Sequence, residues 1–490
     1  MREASKPTRE AGMTALRARL VAELGARTGK SKAYADEHRP HHADKSSIGA
    51  EFDPRLKEIF YPIVLARAEG ASVWDLDGNR YVDILQGLGT NLFGHNPSFV
   101  REAIAGQLED GFPIGPQTPL AGEVARQVAA LTGAERVCLS VTGTEAVMTA
   151  IRIARTATGR DKIAVFTDSY HGHSDAVLNR ASIVEYARRK VQGILDRRGA
   201  PDALVSGLRR PLRARGVPAA PGIPKNVARD VLVLEYDNPR SLDVLRRHRK
   251  QLAAVLVEPV QSRCPERQPV EFLRALRTLT QEIDAALVFD EMVTGFRVHP
   301  AGAHGLFGIE PDLATYSKIA GGGFPLSIIA GAARFLDHID GGAWRYGDDS
   351  APSVPTTFFA GTFAKHPLAL RAAHAVFSRL LDEGPALQAD LTKKTAALVD
   401  RLNGTTTAAS IPVRFTHFGS FFGIALTESA LSPEAVTLLS YGLLNEGIFL
   451  RPGDKGGFLT TAHDAEDVEK IASAFERGLH TLRDAGALPD

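Results

Sequence analysis

Residues 312–326 read DLATYSKIAGGGFPL, and this stretch ends a strand-like run with a lysine. The apolar and β-branched residues stop at Ser317 and Lys318, and three glycines followed by Phe324 and Pro325 then turn the chain. Burial of an ammonium group is costly, so a lysine at such a position needs a chemical reason. Partial burial lowers the pKa of a lysine and makes its neutral amine available as a nucleophile.

The segments on both sides of this stretch alternate between short β-rich runs and amphipathic helical runs. The pattern predicts an α/β fold with a mostly parallel sheet between helices, in which ligands gather at the carboxyl ends of the strands. The strand-like runs are RVCLS, KIAVF, DVLVLEY, LAAVLVEPV, AALVFDE and SIIAGA, and the helical runs are one that opens at Thr144 and EFLRALRTLTQEI.

At 490 residues the chain is too long for one simple core, so we expect a large domain and a smaller one. SVWDLDGNRYVDIL predicts a hairpin around Asp77, Gly78 and Asn79. After about residue 365, two amphipathic helices, VRFTHFGSFFGIAL and a last helix predict a small α+β domain. The chain is predicted to divide into four parts: an N-terminal extension (1–50), the first part of the small domain (51–110), the large domain (111–364) and the C-terminal small domain (365–490). The extension is expected to hold one helix at 17–32 and a linker at 35–47, and the large domain a basic insertion at 187–222.

Composition excludes several classes of function. The net charge of +1 predicts no general attraction to nucleic acid or to an acidic membrane. No run approaches roughly 18 uninterrupted apolar residues, and the N-terminus does not resemble a signal peptide.

Cys138 and Cys264 are the two cysteines, which fits a reducing compartment, so we predict a cytoplasmic protein. His38, His41 and His42 lie in a polar linker without fixed geometry, and no metal site is predicted.

Three polar residues open the helix that follows the strand RVCLS. The backbone N–H groups and hydroxyls of Thr142, Gly143 and Thr144 lie at the positive end of the helix dipole and are candidates for binding a phosphate. The alternative is ordinary capping by Thr142, with Gly143 needed for the turn.

Two further strand ends carry candidate site residues. Tyr170 and His171 follow KIAVF, where an aromatic ring can stack on a planar ligand, although core packing and a simple turn are equally open. Asp290 ends the apolar strand in AALVFDE, and a carboxylate leaving such an apolar run needs a cation or strong donors. Arg297 is one possible partner, and a protonated ring nitrogen of a cofactor is the other.

A phosphate cradle, an aromatic ring, a carboxylate and a lysine able to form an imine are together the parts that hold pyridoxal 5'-phosphate. Their order also resembles that of a known family, the class III aminotransferases of fold type I, nearest the glutamate-1-semialdehyde aminomutase branch. The resemblance covers nearly everything from about residue 50 onward. It is carried by TGTEAVMTAIRIARTATGRDKI, YHGHSD, VFDEMVTGFRV, PDLATYSKIAGGGFPL, AGTFAKHPLAL and TTAHDAEDVEKI.

The resemblance implies a role for each matching residue. Gly143 and Thr144, at the helix start that Thr142 caps, would bind the phosphate together with Thr362 of a neighbouring subunit, which makes a homodimer necessary.

For the ring, the resemblance implies stacking by Tyr170 beside His171, packing by Met292, and a bond from Asp290 to the ring nitrogen. Lys318 would carry the cofactor as a Schiff base. An amino acid donor and a keto or aldehyde acceptor would be the substrates.

Departures from the family pattern bear on the substrate. Leu88 stands where the aminomutases have a tryptophan, and Lys455 replaces a glutamate, so we doubt glutamate 1-semialdehyde as the substrate. Four stretches resemble the aminotransferase domains of polyketide and nonribosomal peptide assembly lines, which aminate a β-keto acyl thioester on a carrier protein. They are FPIGPQTPLAGEVARQVAALTG, PGIPKNVARDVLVLEYDNP, VEPVQSRCPERQP and GGAWRYGDDSAPSVPTTFFAGTFAKHPLAL.

Other readings stay open at this point. The basic stretch at 187–215 is either a docking surface for an acidic carrier protein or a solvated loop. A small free carbonyl compound is the alternative acceptor, including a 2,1-aminomutase reaction, and a catalytically silent partner-binding homologue is the third possibility. Arg263 stands where some relatives have a glutamate, and the amino donor is not predicted.

Overall fold

The computed structural model describes residues 9–44, 51–115, 117–182, 184–185, 187–188, 191 and 214–488. Most of the predicted basic insertion at 187–222 therefore lies outside the described residues. The chain divides into two compact units: a first unit of Met1–Ala105, Cys264–Glu266 and Pro385–Asp490, and a second unit of Gly106–Arg263 and Arg267–Gly384.

The described helices and strands are numbered in chain order. The helices are α1 (Arg9–Arg27), α2 (Gly29–His38), α3 (Ser98–Asp110), α4 (Pro119–Thr132), α5 (Gly143–Thr158), α6 (Pro239–His248), α7 (Val270–Glu282), α8 (Ala303–Phe307), α9 (Ala333–Asp340), α10 (Pro367–Glu383), α11 (Ala386–Ala408), α12 (Pro433–Asn445) and α13 (Ala465–Asp484). The strands are β1 (Leu65–Glu69), β2 (Ser72–Asp75), β3 (Arg80–Asp83), β4 (Arg136–Ser140), β5 (Lys162–Phe166), β6 (Asn179–Arg180), β7 (Val217–Pro218), β8 (Val231–Leu234), β9 (Leu252–Val257), β10 (Ala286–Asp290), β11 (Leu313–Tyr316), β12 (Ser327–Gly331), β13 (Phe415–Phe418), β14 (Phe421–Ile424), β15 (Ile448–Phe449) and β16 (Gly456–Phe458).

The second unit contains a seven-stranded sheet in the order β4-β12-β11-β10-β9-β5-β8. The strands from β11 to β8 are parallel, and β9 and β10 are buried along their whole length, as expected when helices cover both faces of a sheet. Ile151 of α5 and Val288 of β10 belong to one apolar cluster on one side of this sheet. The predicted mostly parallel α/β fold is confirmed.

The antiparallel strand β12 is a consequence of the glycine turn. Only residues 317–326 separate β11 from β12, which is too short for a crossover helix, so the chain turns back and the two strands pair antiparallel. Gly322 and Gly323 have φ of 56° and 96° in this turn. A Cβ on Gly322 would meet Val376 and the carbonyl oxygen of Ala372 at 3.0 and 3.2 Å. Glycine is therefore required there both by the backbone and by the close approach of α10.

The first unit holds two small sheets, β1-β2-β3-β15 and β13-β14-β16. The hairpin predicted around Asp77–Asn79 is present as the antiparallel pair β2 and β3. Leu16, Leu20 and Leu24 recur every fourth residue along α1 and enter the apolar core of this unit. Among the described residues, no helix combines the length and the apolar character needed to cross a membrane.

Three details differ from the sequence expectations. The predicted linker at 35–47 begins as the last turn of α2, since the helix continues to His38. The single N-terminal helix predicted at 17–32 is two helices, with a break at Thr28. After the β13–β14 hairpin the chain forms α12 and α13 rather than one last helix.

Helix α10 is part of the second unit, although the sequence analysis begins the C-terminal small domain at residue 365. Its apolar face packs against α4 and against the turn that starts at Lys318. The proposed functional division of the chain at 51–110, 111–364 and 365–490 stays a prediction.

Candidate active site

Lys318 lies at the end of β11, as the first residue of a tight turn. Its φ of 50° is unusual for a residue with a side chain, and Ser317 closes the turn by donating its hydroxyl proton to the carbonyl oxygen of Leu326 at 2.7 Å. Backbone strain of this kind persists where the surrounding structure enforces it and is concentrated at functional sites. The lysine is partly buried, and desolvation lowers the pKa of its amine.

Asp290, at the end of the neighbouring strand β10, is 3% exposed. Its Oδ2 is 2.7 Å from Nδ1 of His171, and its Oδ1 accepts the backbone N–H of Met292 at 3.1 Å. Arg297 was one of the two partners that the sequence suggested for Asp290, but the side chain that contacts Asp290 on this chain is that of His171. Arg297 donates from Nε to the carbonyl oxygen of Val293.

The charges around Lys318 partly oppose one another. Burial of the amine has the largest effect and lowers its pKa, while the carboxylates of Asp290 and Glu258 raise it. The guanidinium of Arg297 lowers it again, and Arg297 itself is so deeply buried that its own pKa falls to about 9. The net effect is a lowered pKa, which increases the fraction of neutral amine, the form that acts as a nucleophile.

The first residues of α5 have two different roles: Thr142 caps the helix, and Gly143 and Thr144 have backbone N–H groups available for a ligand. Thr142 accepts the N–H of Glu145 on its hydroxyl oxygen, and the Glu145 carboxylate accepts the N–H of Thr142, so the two form a capping box. The hydroxyl of Thr142 is therefore used in the cap, as the alternative reading stated. The N–H groups of Gly143 and Thr144 have no carbonyl within the helix to bind, because they belong to its first turn.

Two glycines let neighbouring segments approach this helix start. A Cβ on Gly143 would lie 2.9 Å from Sδ of Met292, and a Cβ on Gly172 would lie 2.5 Å from Oγ1 of Thr144. The hydroxyl oxygen of Thr144 also accepts the N–H of His173 at 3.3 Å. The structure therefore brings together the helix start, the segment after β5 and Met292, which lies two residues after Asp290.

Tyr170 is 51% exposed at the edge of this cluster. Its backbone N–H donates to Oε2 of Glu258 at 3.0 Å, and the other carboxylate oxygen accepts both the N–H and the hydroxyl of Ser262. Desolvation raises the pKa of Glu258, and the nearby charge of His171 opposes this. Our sequence reasoning missed Glu258, although it ends the apolar run of β9 just as Asp290 ends that of β10.

Thr362 is not brought to this cluster within the chain. It is exposed in the segment between α9 and α10, and no hydrogen bond joins it to the other candidates in the described residues. Its predicted role across a subunit boundary stays a prediction.

The residues present fit pyridoxal 5'-phosphate. Free N–H groups at the start of α5 suit a phosphate, and the buried Asp290 suits a protonated ring nitrogen. Two buried polar atoms, Nε2 of His171 and the hydroxyl of Thr315, have no hydrogen-bond partner among the described residues. Thr315 lies opposite Asp290 in the sheet. Buried polar atoms are seldom left unpaired, so these orphans also indicate that a polar group belongs in the site.

Known proteins resemble this chain in both sequence and structure. A sequence model of the family Aminotransferase class-III matches residues 54–459. Two proteins named glutamate-1-semialdehyde 2,1-aminomutase 2, from Geobacillus kaustophilus and Geobacillus thermodenitrificans, are each 34% identical over 435 residues, covering 86% of this chain and 92% of theirs.

Solved structures are also similar. An omega-transaminase from Sphaerobacter thermophilus has a TM-score of 0.77 and 27% identity over 92% of this chain and 98% of its own. A structure described as a transaminase with PLP bound has a TM-score of 0.76 and 26% identity over 94% and 99% of the two chains.

Proposed function

The chain belongs to the class III aminotransferases, and we propose that it transfers an amino group from an amino acid to a keto or aldehyde intermediate, a β-keto acyl thioester on a carrier protein. The family assignment confirms the predicted enzyme class, a transaminase of fold type I that depends on pyridoxal phosphate. The observation that carries the proposed chemistry is the amine of Lys318, with its lowered pKa, close to the buried Asp290.

When bound, pyridoxal phosphate supplies an electron sink for negative charge at the substrate carbon that bears the amino group. The chain supplies the proton transfers and the fixed charges. We assign Lys318 as the base that would remove the proton from that carbon and return it at the acceptor, since its lowered pKa increases the fraction of neutral amine. Asp290 keeps the ring nitrogen protonated, because an adjacent anion raises the pKa of that nitrogen.

The remaining residues bind and orient. Gly143 and Thr144 would bind the phosphate through N–H groups at the positive end of α5, and Tyr170 and Met292 would pack against the ring. His171 acts on Asp290 rather than on the substrate, because it fixes one carboxylate oxygen at 2.7 Å.

We propose a homodimer in which Thr362 of each subunit completes the phosphate site of the other. The exposed position of Thr362 supports this proposal, because a hydroxyl that binds the phosphate in trans must be accessible to a second subunit. A location in the cytoplasm remains a prediction that rests on the low number of cysteines.

The choice of a carrier-bound acceptor rests on the sequence. Leu88 and Lys455 replace side chains that the aminomutases keep, and four stretches resemble assembly-line aminotransferase domains. The second candidate is a small free carbonyl substrate or a 2,1-aminomutase reaction, which the 34% identity to two aminomutases favours.

Acceptor specificity separates the two candidates. Purified enzyme is incubated with an amino acid donor and either a β-keto acyl carrier protein, the matching free β-keto acid, or glutamate 1-semialdehyde alone, and the aminated products are identified by mass. We expect kcat/KM for the carrier-bound acceptor to exceed that for the free acid by at least tenfold. Isomerisation of glutamate 1-semialdehyde at a comparable rate would establish the second candidate instead.

A silent homologue is tested without turnover. Borohydride reduction of the purified holoenzyme followed by peptide mapping should place a pyridoxyl label on Lys318, and K318A should carry no label there. Absence of a label from the wild-type protein would favour the silent, partner-binding alternative.

A further inference from the structure

The first unit contains a cavity of about 300 Å³ that shares no residue with the candidate active site. Its size is at the lower end of small-ligand pockets, and its wall is mainly apolar, as such pockets are. Helix α1, the segment at 59–63, helix α12 and strand β15 contribute to it. The apolar side chains that matter most are those of Leu24, Ile59, Leu85, Tyr441, Leu444 and Phe449.

The polar groups in the wall are already satisfied. Thr28 donates its hydroxyl proton to the carbonyl oxygen of Leu24 at 2.7 Å, so the hydroxyl of Tyr61, 2.8 Å away, donates to Thr28. Arg451 forms a two-pronged ion pair with Asp454, with two N–O distances of 3.0 Å. The wall therefore offers no uncompensated charge to a ligand, and a charged group inside it would lose its hydration without gaining a partner.

The backbone at one side of the cavity is strained. Gln86, Gly87, Leu88 and Gly89 all have positive φ, from 47° to 85°. A leucine in this region is an outlier, because its Cβ crowds the following carbonyl. Leu88 lines the cavity and is also 44% exposed, so the cavity opens to solvent beside it. Strain of this kind is typical of ligand-binding segments.

We propose that this cavity binds the end of an unbranched acyl chain. Its volume admits up to about ten carbons, since each carbon takes a volume similar to the ~30 Å³ of a water molecule in the liquid. The small volume and the apolar wall suit a methyl-terminated chain, and the described residues place no unpaired charge in that wall. The chain is either part of the acceptor substrate or a separate fatty acid, and both have the same chemistry. Binding of the chain needs no transamination, so it is tested independently of the proposed function.

Calorimetric titration of the holoenzyme with butanoate, hexanoate and octanoate tests the cavity directly. Burial of each added methylene is worth ~0.8 kcal/mol, which corresponds to an increase in affinity of about fourfold. Each step of this series adds two methylenes, so we expect the affinity to rise about 15-fold from butanoate to hexanoate and again from hexanoate to octanoate. The control ligand is 8-aminooctanoate, which has the same length and a charged end, and we expect it to bind at least tenfold more weakly than octanoate. Equal affinities across the series, or for octanoate and 8-aminooctanoate, would overturn the proposal.

Matched variants on one helix locate the binding. Leu444 and Leu439 are both on α12 and 3% exposed, but only Leu444 lines the cavity. L444F should weaken octanoate binding at least tenfold, while L439F should leave it within twofold. L88W serves as a second filling variant, because position 88 is partly exposed and a larger side chain there is compatible with folding. Unchanged affinity in both L444F and L88W would refute the assignment.

Kinetic competition then identifies the source of the chain. If octanoate raises KM for acyl acceptors of eight carbons but not of four, the cavity holds the chain of the acceptor. If octanoate binds without affecting KM for either, the cavity belongs to a separate fatty acid. The titrations above decide whether the cavity binds an acyl chain at all, even for an enzyme preparation without transaminase activity.

Discussion

Replacement of His171 by leucine tests whether the contact with Asp290 is electrostatic. The two side chains are 1% and 2% exposed, and Nδ1 of His171 is 2.7 Å from Oδ2 of Asp290. In H171L the carboxylate keeps its bond from the N–H of Met292 but loses its buried side-chain partner. Removal of one member of a buried pair typically costs about 3–5 kcal/mol, because a charge is left uncompensated. We expect a loss of this size in the free energy of unfolding of the apoprotein.

The measurement is urea unfolding of four apoproteins at one neutral pH: wild type, H171L, D290N and the double variant. In the D290N background no charge remains to be stranded, so H171L should cost only about 1 kcal/mol there. The coupling energy between the two positions should therefore be at least about 2 kcal/mol. If H171L costs the same in both backgrounds, His171 acts through packing alone and the assigned role in holding Asp290 is wrong.

Three further predictions follow from the same site. G172A should lower the free energy of unfolding, measured in urea titrations, by about 2–4 kcal/mol, because the new Cβ would overlap Oγ1 of Thr144 and position 172 has a φ of 87°. Equal stability of G172A and wild type would show that the close approach is easily relieved. E258Q should lower the free energy of unfolding by about 1–3 kcal/mol and speed hydrogen exchange at the Tyr170 amide, since the single oxygen of a neutral amide cannot accept from all three donors. An unchanged exchange rate would contradict the role of Glu258 in holding Tyr170. Burial lowers the pKa of Lys318 below 10.5, and the neutral amine is the form that would react with the cofactor aldehyde. The rate of cofactor binding to the apoprotein, followed by stopped-flow absorbance, should therefore rise with pH and level off below pH 10.5. A tenfold rise per pH unit that continues through pH 10.5 would refute the lowered pKa.

Local patterns in the sequence were sufficient for the elements that depend on neighbouring residues. Strand β10 was predictable because a long run of apolar residues is typical of a strand inside a covered sheet. The start of α5 was predictable because Thr142 is a residue type that caps helices. Asp290 and Lys318 were recognisable because charged groups at the ends of such strands need a compensating environment. The break between α1 and α2 was missed, since the residues around Thr28 look helical on both sides.

Long-range proximity was decided only by the folded chain. His171 and Asp290 are 119 residues apart in sequence, and nothing near either residue indicates the other. The same holds for Glu258, whose hydrogen bond to Tyr170 joins the ends of two different strands. Hydrophobic patterns determine which strands and helices form, because burial of apolar side chains depends on spacing within one segment. The partner of a buried charge depends on which strand ends meet at one edge of the sheet, and only the tertiary structure contains that information.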